Sequence, residues 1–312
     1  MKDFIVKMDI YFAGTPNSAA EILKYLASNN LFNIKGVITQ PDKKGKRGNQ
    51  LIESPVALVA NSLNLKTYKP HKLTKEQIQN DIDITSADIL LVVAYGKLIP
   101  NWILDSNVKT INIHYSLLPS YRGASPIQSS LLNNDKKTGV TFMQMSRDLD
   151  AGKIIKCFDV PINENDNKSS LEKKLTELSI LNLEKVITDF CSNKITPVDQ
   201  DHEKASYCKK ILKEDSVINF KEGAEKIFAK FRAYNEWPGI CFMYKNKVIK
   251  IHGLEISSIK SQGSPGDIAK FTTSGLCIIT SSFDIVITHL QFPSKNIITA
   301  EDAYNSYRKF FV

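Results

Sequence analysis

The first part of the chain alternates short, strongly apolar segments with segments of helical periodicity. The apolar segments predict strands at 8–13, 33–40, 87–96, 108–114, 139–145 and 153–160. Strands that are apolar on both faces need cover on both sides, which is typical of an open, mainly parallel sheet flanked by helices. We therefore expect a Rossmann-like α/β domain over residues 8–195.

The pattern changes after this domain. Residues 191–210 lose the apolar periodicity, and we expect a linker over 196–211. Short strands punctuated by Gly and Ser are then predicted at 240–244, 247–256, 266–271, 276–280 and 284–291. Strands of this length and spacing favour a small, OB-like β-barrel, which we expect over residues 212–312.

The composition is that of an ordinary globular protein of about two domains. Of the 312 residues, 42% are hydrophobic and 24% are charged. The five Cys lie far apart without metal-type spacing, so we expect a reducing compartment and no metal. The N-terminus lacks a leader pattern, and no apolar run approaches the ~18 residues of a membrane span. We expect a cytoplasmic protein with no membrane partner and assume a monomer.

The net charge of +8, with a pI near 9.0, leaves two interpretations open. The basic excess is spread over both parts of the chain and serves solubility in the plainer interpretation. Nucleic acid is the alternative partner, because contacts to phosphates supply most of the non-specific affinity for it.

A polar pair ends the predicted strand at 108–114, in the stretch "TINIHYSLLPSYRG". Side chains alternate faces along a strand, so Asn112 and His114 share one face where apolar residues would be the default. Ligands of open α/β sheets bind outside the carboxyl ends of the strands. This pair is therefore a candidate site, and the plainer interpretation is that it anchors the following loop.

A second polar cluster, "SRDLDAGK", follows the next predicted strand and contains Asp148 and Asp150. If the two strands are neighbours, a carboxylate can meet the imidazole of His114. Asn, His and Asp together suit attack on a carbonyl, because Asn and His donate to a developing oxyanion and Asp orients the His or accepts a proton. No Ser or Cys is placed as a nucleophile, which favours direct transfer to an external amine.

Two basic regions are candidate phosphate contacts. The loop "PDKKGKRGNQ" at 41–50 contains Lys43, Lys44, Lys46 and Arg47 and no apolar residue, and the plainer interpretation is a solvated loop. The predicted β-barrel contains Tyr244 and the lysines Lys245, Lys247, Lys250, Lys260 and Lys270. Small barrels often bind oligonucleotides, while a structural lid is the equal alternative.

The runs "NIHYSLLPSYRGASPIQ" and "GVTFMQMSRDLDAGKII" closely resemble the folate-dependent formyltransferases. The likeness extends through "IYFAGTP", "VITQPDKKGKRGNQL", "VVAYGKLIP", "YCKKILKEDSVINF" and "FRAYNEWPG" to "AEDAYNSYRKFF". It therefore covers nearly the whole chain. The overall likeness is to those members whose acceptor is methionyl-tRNA.

The resemblance implies a role for each candidate. Asn112, His114 and Asp150 fall on the catalytic triad of the family. Ser116, Leu117, Leu118 and Pro119 fall on its tetrahydrofolate-binding segment, and Arg47 falls on a functional arginine in a loop that reaches the acceptor end of the tRNA. The implied reaction moves a formyl group from 10-formyltetrahydrofolate to the α-amino group of initiator methionyl-tRNA.

Three alternatives remain open at this point. A formyltransferase that acts on a small amine, such as a purine precursor or an amino sugar, would share the same catalytic core. A catalytically silent RNA-binding protein would not need the three polar residues. A nicotinamide-dependent Rossmann enzyme would be expected to carry the GxGxxG fingerprint, which this sequence lacks.

Overall fold

A seven-stranded sheet organises the first of the two units into which the chain divides. The computed structural model describes residues 7–45, 50–75 and 82–312. Unit 1 comprises Met1–Pro126, Lys137–Pro161 and Glu172–Cys208, and unit 2 comprises Ile127–Lys136, Ile162–Leu171 and Lys209–Val312. No helix within the described ranges is long and apolar enough to cross a membrane.

The strands of unit 1 are short and mostly buried. They are β1 (Met8–Gly14), β2 (Phe32–Ile38), β3 (Lys43–Lys44), β4 (Leu51–Ile52), β5 (Thr67–Tyr68), β6 (Ile89–Val93), β7 (Lys109–His114), β8 (Arg122–Gly123), β9 (Lys137–Gln144), β10 (Ile154–Pro161) and β11 (Tyr207–Cys208). All five residues of β6 are buried, as expected for an apolar strand in the middle of a sheet.

The main sheet has the order β10-β9-β7-β6-β1-β2-β5. Strands β7, β6, β1, β2 and β5 are parallel, whereas β9 and β10 are antiparallel to their neighbours. The predicted open, mainly parallel sheet is therefore confirmed. Because β9 runs antiparallel to β7, the loop that follows β9 starts at a distance from His114 and must return toward it.

The described helices lie between the strands, or after the last strand, in the order of the chain. They are α1 (Asn17–Ser28), α2 (Pro55–Ser62), α3 (Asn101–Leu104), α4 (Pro126–Leu132), α5 (Lys168–Cys191), α6 (Ala224–Ala233) and α7 (Ala300–Phe311). Short 3₁₀ turns lie at Ile84–Ser86, His202–Lys204 and Lys213–Ser216. Helix α2 illustrates a local start signal: Ser54 accepts a hydrogen bond from the Ala57 N–H, and Pro55 follows it at the first helical position.

The segment expected to be a linker, 196–211, is in part bound to unit 1. The backbones of Val198 and Ile154 hydrogen-bond to each other, at 2.8 and 2.9 Å. Strand β11 pairs in parallel with β8. A single bridge and a two-residue strand are too short to produce a periodic pattern of hydrophobic residues. The sequence therefore could not predict that this segment is attached to unit 1.

Unit 2 is built on a six-stranded antiparallel sheet. Its strands are β12 (Ile240–Tyr244), β13 (Lys247–Ile256), β14 (Ile268–Thr272), β15 (Gly275–Ile278), β16 (Ile285–Gln291) and β17 (Ile297–Thr299). The order is β12-β13-β16-β15-β14, and β17 pairs with the last residues of β16. The predicted C-terminal β-rich domain is confirmed, and among the strands described no pairing closes it into a barrel.

Two earlier segments of the chain also belong to unit 2. Arg232 of α6 donates to Asn134 Oδ1 at 2.8 Å and to the Asp166 carbonyl at 3.2 Å. Asn235 donates to Ser169 Oγ at 3.2 Å. Unit 2 is therefore assembled from three stretches of sequence.

Candidate active site

Strand β7 carries Asn112 and His114 in the interior of the main sheet. Asn112 pairs with Val92 on one side and Met143 on the other, and His114 lies opposite Thr141. The Asn112 side chain is half-buried and makes no hydrogen bond to another described residue. Its amide is therefore available to a bound molecule.

The His114 ring is buried, and its orientation is determined by one carbonyl. Nε2 lies 2.9 Å from the Tyr121 carbonyl oxygen. Since a carbonyl oxygen only accepts, Nε2 carries a proton and donates it in this hydrogen bond. Nδ1 then faces Asp150 Oδ2 at 3.8 Å, which is too long for a hydrogen bond and makes this an electrostatic contact.

Asp150 reaches this position through a loop rather than along a strand. Because β9 is antiparallel to β7, it ends with Gln144 opposite Ile111, three residues before His114. That separation is roughly 10 Å along the strand. We call residues 145–153 the Asp150 loop, and this loop must fold back over that distance to bring the carboxylate to the imidazole.

The backbone of the Asp150 loop is unusual at two positions. Asp150 has φ of +49°, a left-handed conformation that Asp tolerates better than most residues. A Cβ at Gly152 would collide with the Gln144 carbonyl oxygen, so only Gly fits there. The Asp150 carboxylate accepts a hydrogen bond from the Gly123 N–H at 2.8 Å.

The segment Ser116–Pro119 follows His114 after one residue and leads into a turn in which the Ser120 N–H donates to the Leu117 carbonyl at 3.1 Å. Thr141, which lies opposite His114 on β9, donates to the Ser116 carbonyl at 2.7 Å and accepts from the Leu118 N–H at 3.1 Å. The Leu118–Pro119 peptide is cis. Ser116 and Leu118 are buried, whereas Leu117 and Pro119 are half-buried and remain accessible.

The loop after β6 contains Tyr95, whose side chain packs in the apolar core of unit 1. Tyr95 is 1% exposed, and its hydroxyl has no hydrogen-bond partner among the described residues. Burial raises the pKa of Tyr95 to about 12, so the hydroxyl stays protonated at neutral pH. The Tyr95 carbonyl accepts from Thr15 Oγ1 at 3.0 Å and from Gln40 Nε2 at 2.8 Å.

The basic loop is described only in part. Lys43 and Lys44 are exposed on β3, which pairs with β4 in a hairpin, whereas Lys46 and Arg47 lie outside the described residues. At the base of the hairpin the Lys69 ammonium contacts Asp42 at 2.7 Å and Glu53 at 2.6 Å. This ion-pair group ties the two ends of the loop together.

Two buried residues near Asp150 were not singled out in the sequence. Arg122 is 2% exposed and donates to Gln200 Oε1 through Nε at 3.0 Å and through Nη2 at 2.7 Å. Gln200 Nε2 donates to the carbonyls of Asp150 at 2.9 Å and Gly152 at 2.7 Å. Gln200 lies in the aperiodic segment, where no pattern distinguishes it from its exposed neighbours.

The structure therefore brings together part of the predicted site. The expected adjacency of the two strands is confirmed, and His114 and Asp150 are in contact. The segment Ser116–Pro119 follows His114 after one residue. The roles of these residues in catalysis and binding stay predictions. Within the described ranges, no group of three or more His, Cys, Asp or Glu is arranged to hold a metal ion.

Comparison with known proteins gives the family. The sequence model described as "Formyl transferase" matches residues 7–187, and that described as "Formyl transferase, C-terminal domain" matches residues 210–308. A protein of Sulfurihydrogenibium sp. named methionyl-tRNA formyltransferase is 38% identical over 304 residues, which is 96% of this chain and 97% of that protein.

Solved structures of lower identity share the fold. An N-formyltransferase from Helicobacter canadensis, in complex with folinic acid and dTDP-3-aminofucose, is 21% identical with a TM-score of 0.66 and covers 92% of this chain and 100% of its own. HypX from Aquifex aeolicus with tetrahydrofolic acid is 16% identical with a TM-score of 0.64. It covers 97% of this chain, which spans about half the length of HypX (47%). The chain belongs to the formyl transferase family, and the protein is an enzyme that transfers formyl groups.

Proposed function

We propose that this enzyme transfers a formyl group from 10-formyltetrahydrofolate to the α-amino group of initiator methionyl-tRNA. The observation that carries the proposal is the 38% identity, over nearly the full length of both chains, to a protein named methionyl-tRNA formyltransferase. Family membership indicates that the transferred group is formyl, and the name of this relative indicates the acceptor. An enzyme of translation would act in the cytoplasm, and the proposed reaction needs only one copy of the chain.

A folate donor is supported by two features. Two proteins of similar fold were solved with folinic acid or tetrahydrofolic acid bound. In this chain Leu117 and Pro119, which follow His114 closely in the sequence, offer accessible apolar surface. We propose that Ser116, Leu117, Leu118 and Pro119 form one wall of the donor site, with Ser116 and Leu118 shaping the turn.

The chemistry assigned to the chain's own residues follows from their hydrogen bonds. Attack of an amine on a formyl carbon places negative charge on the formyl oxygen. The unpartnered Asn112 amide can donate to that oxygen, and one such donor contributes on the order of 10²–10³ in rate. His114 is held by Tyr121, with Nδ1 toward Asp150. We propose that His114 Nδ1, supported by Asp150, accepts the proton that the amine releases. The protonated pair then donates to the formyl oxygen and passes the proton to N10 of tetrahydrofolate as the bond between N10 and the formyl carbon breaks.

An RNA acceptor is consistent with the charge of the chain. The net charge of +8 favours a polyanionic partner. We propose that the basic loop contacts the acceptor end of the tRNA through Lys43, Lys44, Lys46 and Arg47. The lysines of unit 2 are further candidates for contacts to phosphates.

A small amine is the second candidate acceptor. The Helicobacter canadensis protein was solved with an amino sugar nucleotide and covers 92% of this chain. A C-terminal unit therefore does not by itself discriminate tRNA from a sugar. The basic loop and the identity of the full-length relative favour tRNA over the small amine.

The test is a competition between acceptors. The enzyme would be incubated with labelled 10-formyltetrahydrofolate and a mixture of initiator methionyl-tRNA, other aminoacyl-tRNAs, free methionine and an amino sugar nucleotide. We expect the label on methionyl-tRNA, with the highest kcat/KM of the panel. A higher kcat/KM for the sugar would overturn the proposed acceptor and leave formyl transfer intact.

A further inference from the structure

Arg122 is a buried cation that lacks the usual partner. Its side chain is 2% exposed and forms no ion pair with a described carboxylate. Its shortest hydrogen bonds go to the side-chain oxygen Oε1 of Gln200, at 2.7 and 3.0 Å, and weaker contacts of 3.3–3.4 Å go to His202 and Tyr207. Burial of a charge without a counter-charge is costly, so a stabilising role alone does not account for this arrangement.

Arg122 determines which way the Gln200 amide points. A guanidinium only donates, so the atom that faces Arg122 must be the Gln200 oxygen. The Gln200 NH₂ group is thereby directed at the carbonyls of Asp150 and Gly152, which lie 2.9 and 2.7 Å away and only accept. Every atom of the amide is matched to its partner, and a reversed amide would lose all these hydrogen bonds.

The two carbonyls that Gln200 binds belong to the Asp150 loop. This loop leaves β9 roughly 10 Å from His114 along the strand and returns with Asp150 in a left-handed conformation. The Gly123 N–H holds the carboxylate itself, at 2.8 Å. Gln200 therefore holds the main chain on both sides of Ala151, while Gly123 holds the side chain.

We propose that Gln200 is a positioning residue for formyl transfer, which holds the Asp150 carboxylate against His114 and is itself held by Arg122. The inference rests on the role of Asp150 in the proposed function. It assigns a task in the reaction to the segment 196–211, which the sequence pattern predicted only as a linker.

Gln200→Glu separates positioning from folding. The carboxylate keeps the length of the side chain and gives Arg122 a counter-charge, so we expect the variant to fold, with a cooperative thermal transition. It loses both N–H donors and places an oxygen against the carbonyls of Asp150 and Gly152. We expect kcat to fall at least ~10-fold, toward the ~10²-fold that a 1 Å misplacement can cost, with KM for both substrates within about twofold.

A double-mutant cycle with Asp150→Asn identifies the residue through which Gln200 acts. In the Asp150→Asn background, Gln200→Glu should change the single-turnover rate less than about twofold, because the carboxylate that it positions is already absent. The same fold-loss in both backgrounds would overturn the proposal, as would an unchanged kcat in the single variant. If Gln200→Glu fails to fold, Arg122→Met/Gln200→Met removes the buried charge together with its partner and must show the same kcat loss.

The control is Asp199→Asn, one residue away. Asp199 is exposed and pairs with Lys153 at 3.2 Å. Because exposed ion pairs contribute little, we expect the kcat of the variant to lie within about twofold of the wild-type value. A loss equal to that of Gln200→Glu would mean that the whole segment, rather than Gln200, supports the site. If the wild type formylates a small amine instead of methionyl-tRNA, the proposed acceptor fails, and the cycle is run with that amine.

Discussion

The two sides of the candidate site are positioned in different ways. Asn112 and His114 lie on β7, whose backbone is paired with β6 on one side and with β9 on the other. Asp150 lies in a loop. One hydrogen bond holds its carboxylate, and two more hold the main-chain carbonyls of Asp150 and Gly152. The strand side depends on the whole sheet, whereas the loop side depends on a few individual contacts.

This difference determines which substitutions can disturb the site from a distance. Moving β7 would require several ladder hydrogen bonds and a buried apolar core to be disrupted together. The Asp150 loop depends on bonds that each contribute about 1 kcal/mol, and these come from residues far away in the sequence. We therefore expect remote substitutions to act on the reaction mainly through Asp150.

Removal of a strand-side group should have the largest effect. Asn112→Ala and His114→Ala each remove a group proposed to stabilise the developing oxyanion, so kcat should fall on the order of 10²–10³-fold or more. Steady-state kinetics with methionyl-tRNA measures the loss, and circular dichroism checks that the sheet is intact. A variant with unchanged kcat would remove that residue from the mechanism.

Gly152→Ala tests the loop side without touching a polar group. The new Cβ would meet the Gln144 carbonyl oxygen, so the loop must shift. We expect overpacking to lower the free energy of unfolding by about 1–3 kcal/mol. The shift of Asp150 should lower kcat by roughly 10- to 100-fold. Rates at the wild-type level in the folded variant would show that the position of Asp150 is not critical.

Arg47→Ala tests the proposed contact with the tRNA separately from the strand side and the loop side of the site. A lost phosphate contact should raise KM for methionyl-tRNA and lower the slope of log KM against log salt by about 1, with KM for the folate unchanged. Lys46→Ala offers a neighbouring comparison of the same charge change. An equal rise of KM for both substrates would indicate that the loop is structural.

Asp105→Asn should have the smallest effect. Arg147, within the Asp150 loop, donates to both carboxylate oxygens of Asp105 at 2.9 and 3.1 Å, but both side chains are more than half exposed. Exposed ion pairs contribute about 0–1 kcal/mol and are screened by salt. We expect kcat within about twofold at 0.15 M salt. A loss as large as that of Gln200→Glu would mean that the surface pair positions the loop.

The sequence predicts the strand side of the site better than the loop side. Continuous apolar runs identify β1, β6 and β7, and the two-residue period of a strand places Asn112 and His114 on one face. The direction of β9 cannot be obtained in the same way, because a buried apolar strand has the same composition whether it runs parallel or antiparallel. The return path of the Asp150 loop was therefore not predictable.

The support for Asp150 is hidden for a different reason. Gln200 contacts the Asp150 loop through main-chain carbonyls, and such contacts place no demand on the side chains of the loop residues. Arg122 is polar and follows a turn, so its sequence context predicts exposure, although it is 2% exposed in the fold. Single buried polar residues outside regular elements leave no period to detect.

The most direct test of the central claim is the single-turnover rate of formyl transfer by Asp150→Asn, with both substrates saturating. Asn keeps the size of the side chain and removes its negative charge beside His114. We predict that the wild type places the labelled formyl group on the α-nitrogen of methionyl-tRNA and that the variant does so at least about 10²-fold more slowly. Transfer by the variant at the wild-type rate would contradict the account.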